Sequence, residues 1–270
     1  MSDILLSAFS LRHSPFVPDI AAEDLWLDDG RKEAIDRLVD AVSRRRHALV
    51  KGEPGTGKNC VLRAMRARLS PVHFRLVYVA NVTLGRRDFY RQVCGALGIV
   101  PKGTPAGLFE AIQRDVETQH REHRLHPVLV LDEAHLMPDS TLGHLHVLAN
   151  FDWDSQPLLS LVLVGLPELH DRLRLGIHRS LLTRLSVCVE VQPASPEQTA
   201  AYVRRRLEAA GAKAELFAPD ALVLLHELTG GGLRSIDVLA DASLRLAARQ
   251  EVRLVDRAVV RRALQHTPLA

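Results

Sequence analysis

The chain has 270 residues, of which 47% are hydrophobic and 25% are charged. This composition is typical of soluble globular proteins and excludes disordered, collagen-like and coiled-coil classes. The length allows one large domain with a smaller satellite but excludes the two stacked motor cores of a helicase. The chain contains 35 Lys and Arg and 32 Asp and Glu, so its formal net charge is only +3. Any nucleic-acid binding must therefore come from a local basic surface.

Cysteine usage and the apolar runs indicate the compartment. Cys60, Cys94 and Cys188 form no CxxC pair, which disfavours a disulfide framework or zinc site and suits a reducing compartment. The longest apolar stretch, residues 158–167, falls short of the roughly 20 residues of a membrane span. The N-terminal MSDILLSAF lacks the cations of a signal peptide. We therefore expect a soluble cytoplasmic protein that makes no membrane contact.

The predicted elements follow in chain order. Residues 1–30 contain Pro15 and Pro18 and few periodic apolar positions, which predicts an extended N-terminal arm before a helix over residues 31–45. Short apolar runs then alternate with segments of helical period, the pattern of a parallel sheet with crossover helices. The predicted strands are 48–51, 74–80, 128–131, 161–164 and 187–191. This α/β domain is expected to span residues 31–192.

The remaining segment, residues 193–270, contains helix signals only. Ser195 and Gln198 have the spacing of a capping box, Pro196 occupies the first helical position, and Gly211 lies just past the end of that helix. Further helix boundaries are expected at Pro219, at residues 230–232 and at Asp256. The sequence therefore predicts a small all-helical C-terminal domain.

A glycine-rich segment joins the first predicted strand to the next helix. It reads Gly52, Glu53, Pro54, Gly55, Thr56, Gly57, Lys58, Asn59 and Cys60. Its glycines allow backbone N–H groups to turn toward phosphate oxygens, the helix N-terminus adds positive charge, and Lys58 can reach the β- and γ-phosphates. The alternative is an ordinary glycine-rich turn, but the strand, loop and helix context favours a phosphate-binding loop.

One position of this loop departs from the usual pattern. A Ser or Thr hydroxyl is expected after the lysine as a compact Mg²⁺ ligand, and the chain has Asn59 there. The amide oxygen of Asn59 is also a hard-cation ligand, but it sits one bond further out, and Mg²⁺ tolerates misplacement poorly. We expect nucleotide binding to survive this change better than hydrolysis.

Two carboxylates follow the third predicted strand. Asp132 and Glu133 would end a buried parallel strand, where unpaired carboxylates are costly. Asp132 is the candidate for holding Mg²⁺ or its water, and Glu133 for orienting and deprotonating the attacking water. The alternative is an acidic turn. His135 completes an Asp-Glu-Ala-His string that also marks one helicase superfamily, for whose second core the chain has no room.

Two arginines lie where nucleotide switches use them. Arg184 precedes the fifth predicted strand, where it would touch the γ-phosphate of a neighbouring subunit, and Arg234 begins a helix after three glycines. From residue type alone, either is more often an ordinary surface arginine.

Together these motifs resemble those of AAA+ ATPases. The resemblance implies a five-stranded parallel sheet flanked by helices, a helical lid, and ATP and Mg²⁺ as cofactors. It assigns Gly52, Gly55, Gly57, Lys58 and Asn59 to the Walker A loop, Asp132 and Glu133 to Walker B, Arg184 to the arginine finger and Arg234 to sensor 2. By this resemblance, Glu133, Lys58, Arg184 and Arg234 are the catalytic group.

More narrowly, Phe9 to Phe16, the Gly52-Glu53 entry and Leu163 to Leu169 resemble ExeA-like secretion ATPase domains. These are kin to the TniB, TnsC and MuB-like ATPases that select transposition targets. The secretion members carry a membrane helix and a peptidoglycan-binding extension, so the stand-alone length favours the transposon group. Leu166 replaces a polar residue of the ExeA-like pattern, which together with Asn59 implies slow or partner-stimulated hydrolysis.

The transposon resemblance implies rings or filaments of this chain on double-stranded DNA, with a transposase, with or without an adaptor protein, as partner. Arg86, Arg87, Lys102 and Thr104 are the candidate phosphate contacts, although Thr104 before Pro105 is equally a good helix N-cap. The rival functions are an ExeA-like secretion or assembly ATPase and a nucleotide-gated scaffold with little hydrolysis. Trp26 and Trp153 are expected to be core or rim aromatics.

Overall fold

The computed structural model describes residues 4–269. Its strands are β1 (His47–Lys51), β2 (Phe74–Val79), β3 (His126–Leu131), β4 (Ser160–Gly165) and β5 (Leu185–Glu190). Its helices are α1 (Ile4–Phe9), α2 (Asp29–Ser43), α3 (Lys58–Arg68), α4 (Arg86–Leu97), α5 (Pro105–His123), α6 (Asp139–Leu142), α7 (Leu145–Leu148), α8 (Glu168–Leu173), α9 (Arg179–Leu182), α10 (Pro196–Ala209), α11 (Pro219–Thr229), α12 (Leu233–Arg249) and α13 (Arg257–Leu264). Short 3-10 turns occupy Ala22–Asp24, Ala134–Leu136 and Gly176–His178. Within residues 4–269, no helix has the length and apolar character to cross a membrane.

The strands form one parallel sheet in the order β2-β3-β4-β1-β5. Every residue of β3 and β4 is buried, as expected for inner strands covered on both faces. The five-stranded parallel sheet predicted from the apolar runs is confirmed, and each strand end lies within two residues of its predicted position. Because the strands are parallel, their carboxyl ends share one edge of the sheet, the carboxyl edge, and their starts share the amino edge.

The chain forms two compact units. The sheet unit comprises residues 31–52 and 61–191, and the helical unit comprises residues 4–30, 53–60 and 192–269. In the sheet unit, α4 and α5 pack on each other and on β2 and β3. Fully buried side chains such as Phe89, Ile112 and Leu129 form its core, and this core fixes the ends of the strands that carry the candidate site.

The helical unit packs α10, α11, α12 and α13 around a second apolar core that includes Val203, Leu225 and Leu244. The capping box of Ser195 and Gln198 is present at the start of α10. The other predicted boundaries are also confirmed, because Pro219 begins α11, Gly230 caps its end and Asp256 caps α13.

The prediction of an extended arm over residues 1–30 is wrong for its first part, apart from residues 1–3, which lie outside the described residues. Residues 4–9 form α1, which packs on α12 and buries Leu5 and Phe9 in the helical core. A six-residue helix is not stable alone, so packing rather than local sequence decides its formation. Further along, Arg206 donates to the carbonyl oxygens of Pro15 and Val17, each at 2.7 Å, which fixes the arm on α10.

Among the glycines of the helical unit, Gly231 makes the closest approach to another backbone segment. Its φ is +77°, its carbonyl accepts from the Ala194 N–H at 2.9 Å, and an added Cβ would lie 2.0 Å from the Ala194 oxygen. We therefore expect Gly231→Ala to lower the free energy of unfolding by about 3 kcal/mol or more, measured by urea denaturation. Gly176→Ala is the control, because its added Cβ meets no atom within 4 Å. Equal losses in the two variants would contradict this packing.

Candidate active site

The phosphate loop leaves the sheet at the carboxyl end of β1. The Gly52 N–H donates to the Gly165 carbonyl at 3.2 Å, which ties the start of the loop to the end of β4. The chain then turns through residues 53–57 and enters α3 at Lys58. The strand, loop and helix order required of a phosphate-binding loop is therefore present.

Two glycines determine the conformation of this loop. Gly55 and Gly57 have φ of +78° and +97°, values that side chains with a Cβ rarely adopt. The Glu53 carbonyl accepts from the Thr56 hydroxyl at 2.9 Å and from Lys58 Nζ at 3.0 Å. Loops of this conformation turn successive N–H groups toward an anion, and the Lys58 ammonium is held within the same short segment.

The first turn of α12 lies against the phosphate loop, inside the helical unit. The Arg234 N–H donates to the Gly55 carbonyl at 3.3 Å, and a Cβ on Gly55 would approach the Arg234 Cβ to 3.3 Å. Arg234 is itself exposed. The structure therefore brings Arg234 next to the loop, and Gly55 serves both the φ of the turn and this close approach.

Asp132 follows β3 at the carboxyl edge and is buried. Its Oδ2 accepts from the Tyr78 hydroxyl at 2.5 Å, and its Oδ1 accepts from the Glu133 N–H at 2.9 Å. Burial and the neighbouring Asp132 carboxylate raise the pKa of Tyr78, so that the phenol keeps its proton and remains a donor. The Asp132 carboxylate is thereby fixed in orientation.

Glu133 has a left-handed φ of +53°, and its side chain is 51% exposed. His135 Nδ1 lies 3.5 Å from Glu133 Oε2 and also 3.5 Å from the Leu166 N–H. Leu166 follows β4 and offers its backbone rather than a polar side chain here. Within the sheet unit, the carboxylate predicted to act on water is accessible, whereas Asp132 beside it is buried.

Arg172 of α8 holds the segment that follows Glu133. Its guanidinium donates to the His135 carbonyl, to the Met137 carbonyl at 2.8 Å and to Asp139 Oδ1 at 2.5 Å. His178 Nε2 also lies 3.0 Å from Asp139 Oδ1. Arg172 and His178 hold the pKa of Asp139 below its usual value. This ion-paired cluster connects the turn after β3 to the segment before α9.

Arg184 stands at the amino edge, directly before β5. Its Nη2 pairs with Asp154 Oδ2 at 2.6 Å and its Nη1 donates to the Ser180 carbonyl at 3.0 Å. His47, at the start of β1, accepts from the Leu161 N–H at 3.0 Å. Burial, and next the charge of Arg184, lower the pKa of His47 to about 4. Arg184 is thus paired and oriented beside a neutral imidazole.

The residues of the phosphate loop fit a nucleoside triphosphate. The positive φ of Gly55 and Gly57, the Lys58 ammonium and the 11-residue helix α3 supply donors and positive charge for phosphate oxygens. In the described residues, no three His, Cys, Asp or Glu side chains form a metal cluster. Mg²⁺ is usually held by one or two protein oxygens together with substrate phosphates, and Asn59 and Asp132 are the candidate protein ligands.

The four candidate DNA contacts are exposed. Arg86 and Arg87 begin α4, and Arg86 Nη2 lies 3.4 Å from the Ser140 carbonyl. Lys102 lies in the loop before α5. Thr104 is the N-cap of α5, where its hydroxyl accepts from the Gly107 N–H at 3.2 Å, so the capping role considered for it is confirmed.

Sequence reasoning missed Tyr78, Asp154 and Arg172. Tyr78 lies 54 positions from the Asp132 it binds, and Arg172 lies 37 from His135. The one available signal is the alternation in β2, where Val77 and Val79 are buried and Tyr78 points to the other face.

Comparisons with known proteins agree with this geometry. A family model described as "AAA domain" matches residues 40–173. The General secretion pathway protein A of Aeromonas hydrophila is 32% identical over 240 residues, covering 87% of this chain and 43% of that protein. The chain therefore spans less than half the length of this curated relative.

Solved structures share the fold. Cdc6p from Pyrobaculum aerophilum superposes with a TM-score of 0.74 at 19% identity, over 94% of this chain and 70% of that one. The Aeropyrum pernix ORC1 protein in complex with DNA gives 0.68 at 22% identity, over 93% and 68%. The Thermotoga maritima RuvB Holliday junction branch migration motor gives 0.61 at 14% identity, over 93% and 73%. At these identities the likeness shows the fold alone.

Proposed function

We propose that this chain is an AAA+ ATPase that binds and hydrolyses ATP to control its own assembly on double-stranded DNA. The AAA domain model that matches residues 40–173 and the fold shared with Cdc6p support this proposal. The observation that carries the proposal is the phosphate loop. Its two left-handed glycines, its lysine and the adjoining Arg234 have the chemistry of a triphosphate site. In this proposal, the bound nucleotide controls whether copies of the chain assemble.

Each candidate site residue has its own role in ATP hydrolysis. Lys58 binds the β- and γ-phosphate oxygens, and backbone N–H groups of residues 53–60 bind the remaining phosphate charge. Asp132 would hold Mg²⁺ or its bound water, and Glu133 would accept the proton of the attacking water. Arg234 stabilises charge on the γ-phosphate. Magnesium ATP, when bound, supplies a phosphoryl group activated by the charge of the metal.

Arg184 requires a second copy of the chain. It lies at the amino edge, whereas the phosphate loop departs from the carboxyl end of β1, five residues or about 16 Å along the strand. One side chain cannot span that length, so Arg184 would act on ATP bound by a neighbouring subunit. The active unit in this proposal is therefore a homo-oligomer, a ring or a filament.

Asn59 and Leu166 make turnover slow or dependent on a partner. We expect Asn59→Thr to raise steady-state ATP hydrolysis roughly tenfold, because the shorter hydroxyl places a metal ligand one bond closer. A phosphate-release assay measures this rate. ATP affinity measured without Mg²⁺ should stay constant, because the backbone and Lys58 contacts are untouched. An unchanged hydrolysis rate would show that Asn59 does not limit the reaction.

The DNA part of the proposal has three supports. Arg86 and Arg87, in the first turn of α4, and Lys102, in the loop before α5, are exposed cations, suited to sequence-independent phosphate contacts. The motifs resemble those of transposition ATPases, and the fold is shared with an ORC1 protein solved with DNA. We propose a transposase, with or without an adaptor, as the partner that stimulates hydrolysis and disassembly.

A salt-titrated DNA-binding assay with and without ATP tests this function. The proposal expects binding that requires ATP and weakens steeply with salt, because Lys and Arg contacts release counterions from DNA. Lys102→Ala should lower the affinity and reduce the salt slope by about one, whereas Lys213→Ala, an exposed cation in the helical unit, should do neither. Binding that ignores nucleotide, or no binding, would contradict the proposal.

A second function, an assembly ATPase of a secretion system, is favoured by the 32% identity to General secretion pathway protein A. This second function uses the same ATP site and also requires an oligomer. It differs in that the assembled oligomer does not bind DNA. ATP-dependent oligomers that form equally well without DNA and show no affinity for it would support this second function.

A further inference from the structure

Trp153 is 97% exposed. The expectation that it belongs to the core or its rim is therefore wrong, whereas Trp26 packs edge-on against Tyr202 at 5.4 Å. Exposure of an entire indole is costly in water, and tryptophan is enriched where proteins bind one another.

The loop that carries Trp153 is firmly built. In this Trp153 loop, residues 150–157 before β4, Asn150 Oδ1 accepts from the Asp154 N–H at 2.9 Å. Asp152 Oδ2 accepts from Ser155 Oγ and Gln156 Nε2, each at 3.0 Å. These bonds fix the turn on both sides of the tryptophan, so the indole is presented by an ordered scaffold.

The backbone of the same turn is strained. Asp152, Trp153 and Asp154 have φ of 45°, 57° and 69°, three consecutive left-handed residues without a glycine. Each such residue is unfavourable, and strain of this kind persists where surrounding contacts enforce it, often at functional sites. Here it holds the indole outward and places the Asp154 carboxylate against Arg184.

Asp154 connects this loop to Arg184. The ion pair of 2.6 Å crosses the start of β1 at the amino edge, since β4 and β5 flank that strand. The pairing of β1 with β5 shifts register between His47 and Ala48, and such bulges re-aim neighbouring residues. Trp153 and Arg184 are therefore linked through Asp154 at the amino edge of the sheet.

We propose that Trp153 packs against a neighbouring copy of this chain, the copy whose ATP Arg184 contacts. This inference rests on the proposed function, in which Arg184 acts across a subunit interface. Any copy that brings its γ-phosphate to Arg184 comes within reach of the loop bound to it. Trp153 supplies apolar area for that contact, and Asp154 sets the position of Arg184 relative to it.

Charge disfavours DNA as the occupant of this surface. The charge of Asp154 is balanced by Arg184, which leaves the Asp152 carboxylate beside the indole to repel nucleic-acid phosphates. A protein surface is the matching partner, and a second copy of this chain is the one that the Asp154–Arg184 pair selects.

Trp26→Phe leaves Trp153 as the single tryptophan and makes its fluorescence a direct probe. On addition of ATP above the assembly concentration, the Trp153 emission should shift to shorter wavelength and become shielded from acrylamide, with assembly followed in parallel by light scattering. Oligomers that form without changing the Trp153 emission overturn this inference and leave the proposed function intact. Absence of oligomers at every concentration overturns both. A shift caused by DNA alone, without assembly, also overturns the inference.

Trp153→Ala tests the energetic contribution. The concentration of half-assembly should rise at least about 30-fold, the usual effect of removing a buried interface tryptophan. Monomeric ATP affinity should not change, since the Trp153 side chain is 97% exposed and its loop precedes β4, whereas the phosphate loop follows the carboxyl end of β1. Val72→Ala, at another residue that is 70% exposed, is the matched control and should leave assembly unchanged. Equal assembly in the two variants contradicts the proposal.

Discussion

Lys58→Ala should weaken ATP binding by about 100-fold or more. The ammonium provides charge-assisted hydrogen bonds to the β- and γ-phosphates, each of which contributes about 1.5–3 kcal/mol. In the protein, Lys58 is buried and held over the loop by the Glu53 carbonyl at 3.0 Å, so its loss removes charge from a partly desolvated site. Equilibrium anisotropy of a fluorescent ATP analogue measures the change.

The control for this variant is Lys213→Ala, which removes an exposed lysine from the helical unit. It should bind the analogue as the parent chain does. Circular dichroism establishes that both variants are folded. A folded Lys58→Ala protein whose affinity lies within threefold of the parent's would show that the loop does not hold the triphosphate.

Glu133→Gln should reduce ATP hydrolysis by about 100-fold to 10,000-fold, the usual contribution of a general base. The substitution keeps the shape of the side chain and removes its ability to accept a proton. ATP binding should persist, because Asp132 keeps its bonds to Tyr78 and to the residue 133 N–H. On DNA, the variant should form assemblies that outlast those of the parent.

Glu122→Gln, on the exposed face of α5, is the matched control and should hydrolyse ATP at the parental rate. Phosphate release under single-turnover conditions isolates the chemical step. If Glu133→Gln retains more than a tenth of the parental rate, another group activates the water. If the parent itself shows no turnover above Glu133→Gln, the chain is a nucleotide-gated scaffold.

The sheet and the phosphate loop follow from local sequence. β3 and β4 are continuous apolar runs because both of their faces are buried. In the phosphate loop, the spacing of the glycines and the lysine is set by the backbone conformation that the loop must adopt. Apolar periodicity therefore locates the strands, and chain order locates the loop and the carboxylates after β3.

What the sequence does not predict depends on long-range packing. α1 exists because Leu5 and Phe9 meet α12, more than 200 positions away. Tyr78 reaches Asp132 through pairing of β2 with β3. The exposure of Trp153 is set by three left-handed residues and their side-chain bonds, which residue type alone does not indicate.

The most direct test of the central claim is isothermal titration calorimetry of the parent chain with ATP and Mg²⁺. We expect saturable binding of one ATP per chain, with competition by ADP and loss of the signal in Lys58→Ala. A folded parent chain that takes up no ATP, or takes it up equally well in Lys58→Ala, would contradict the assignment of the loop after β1 as the nucleotide site.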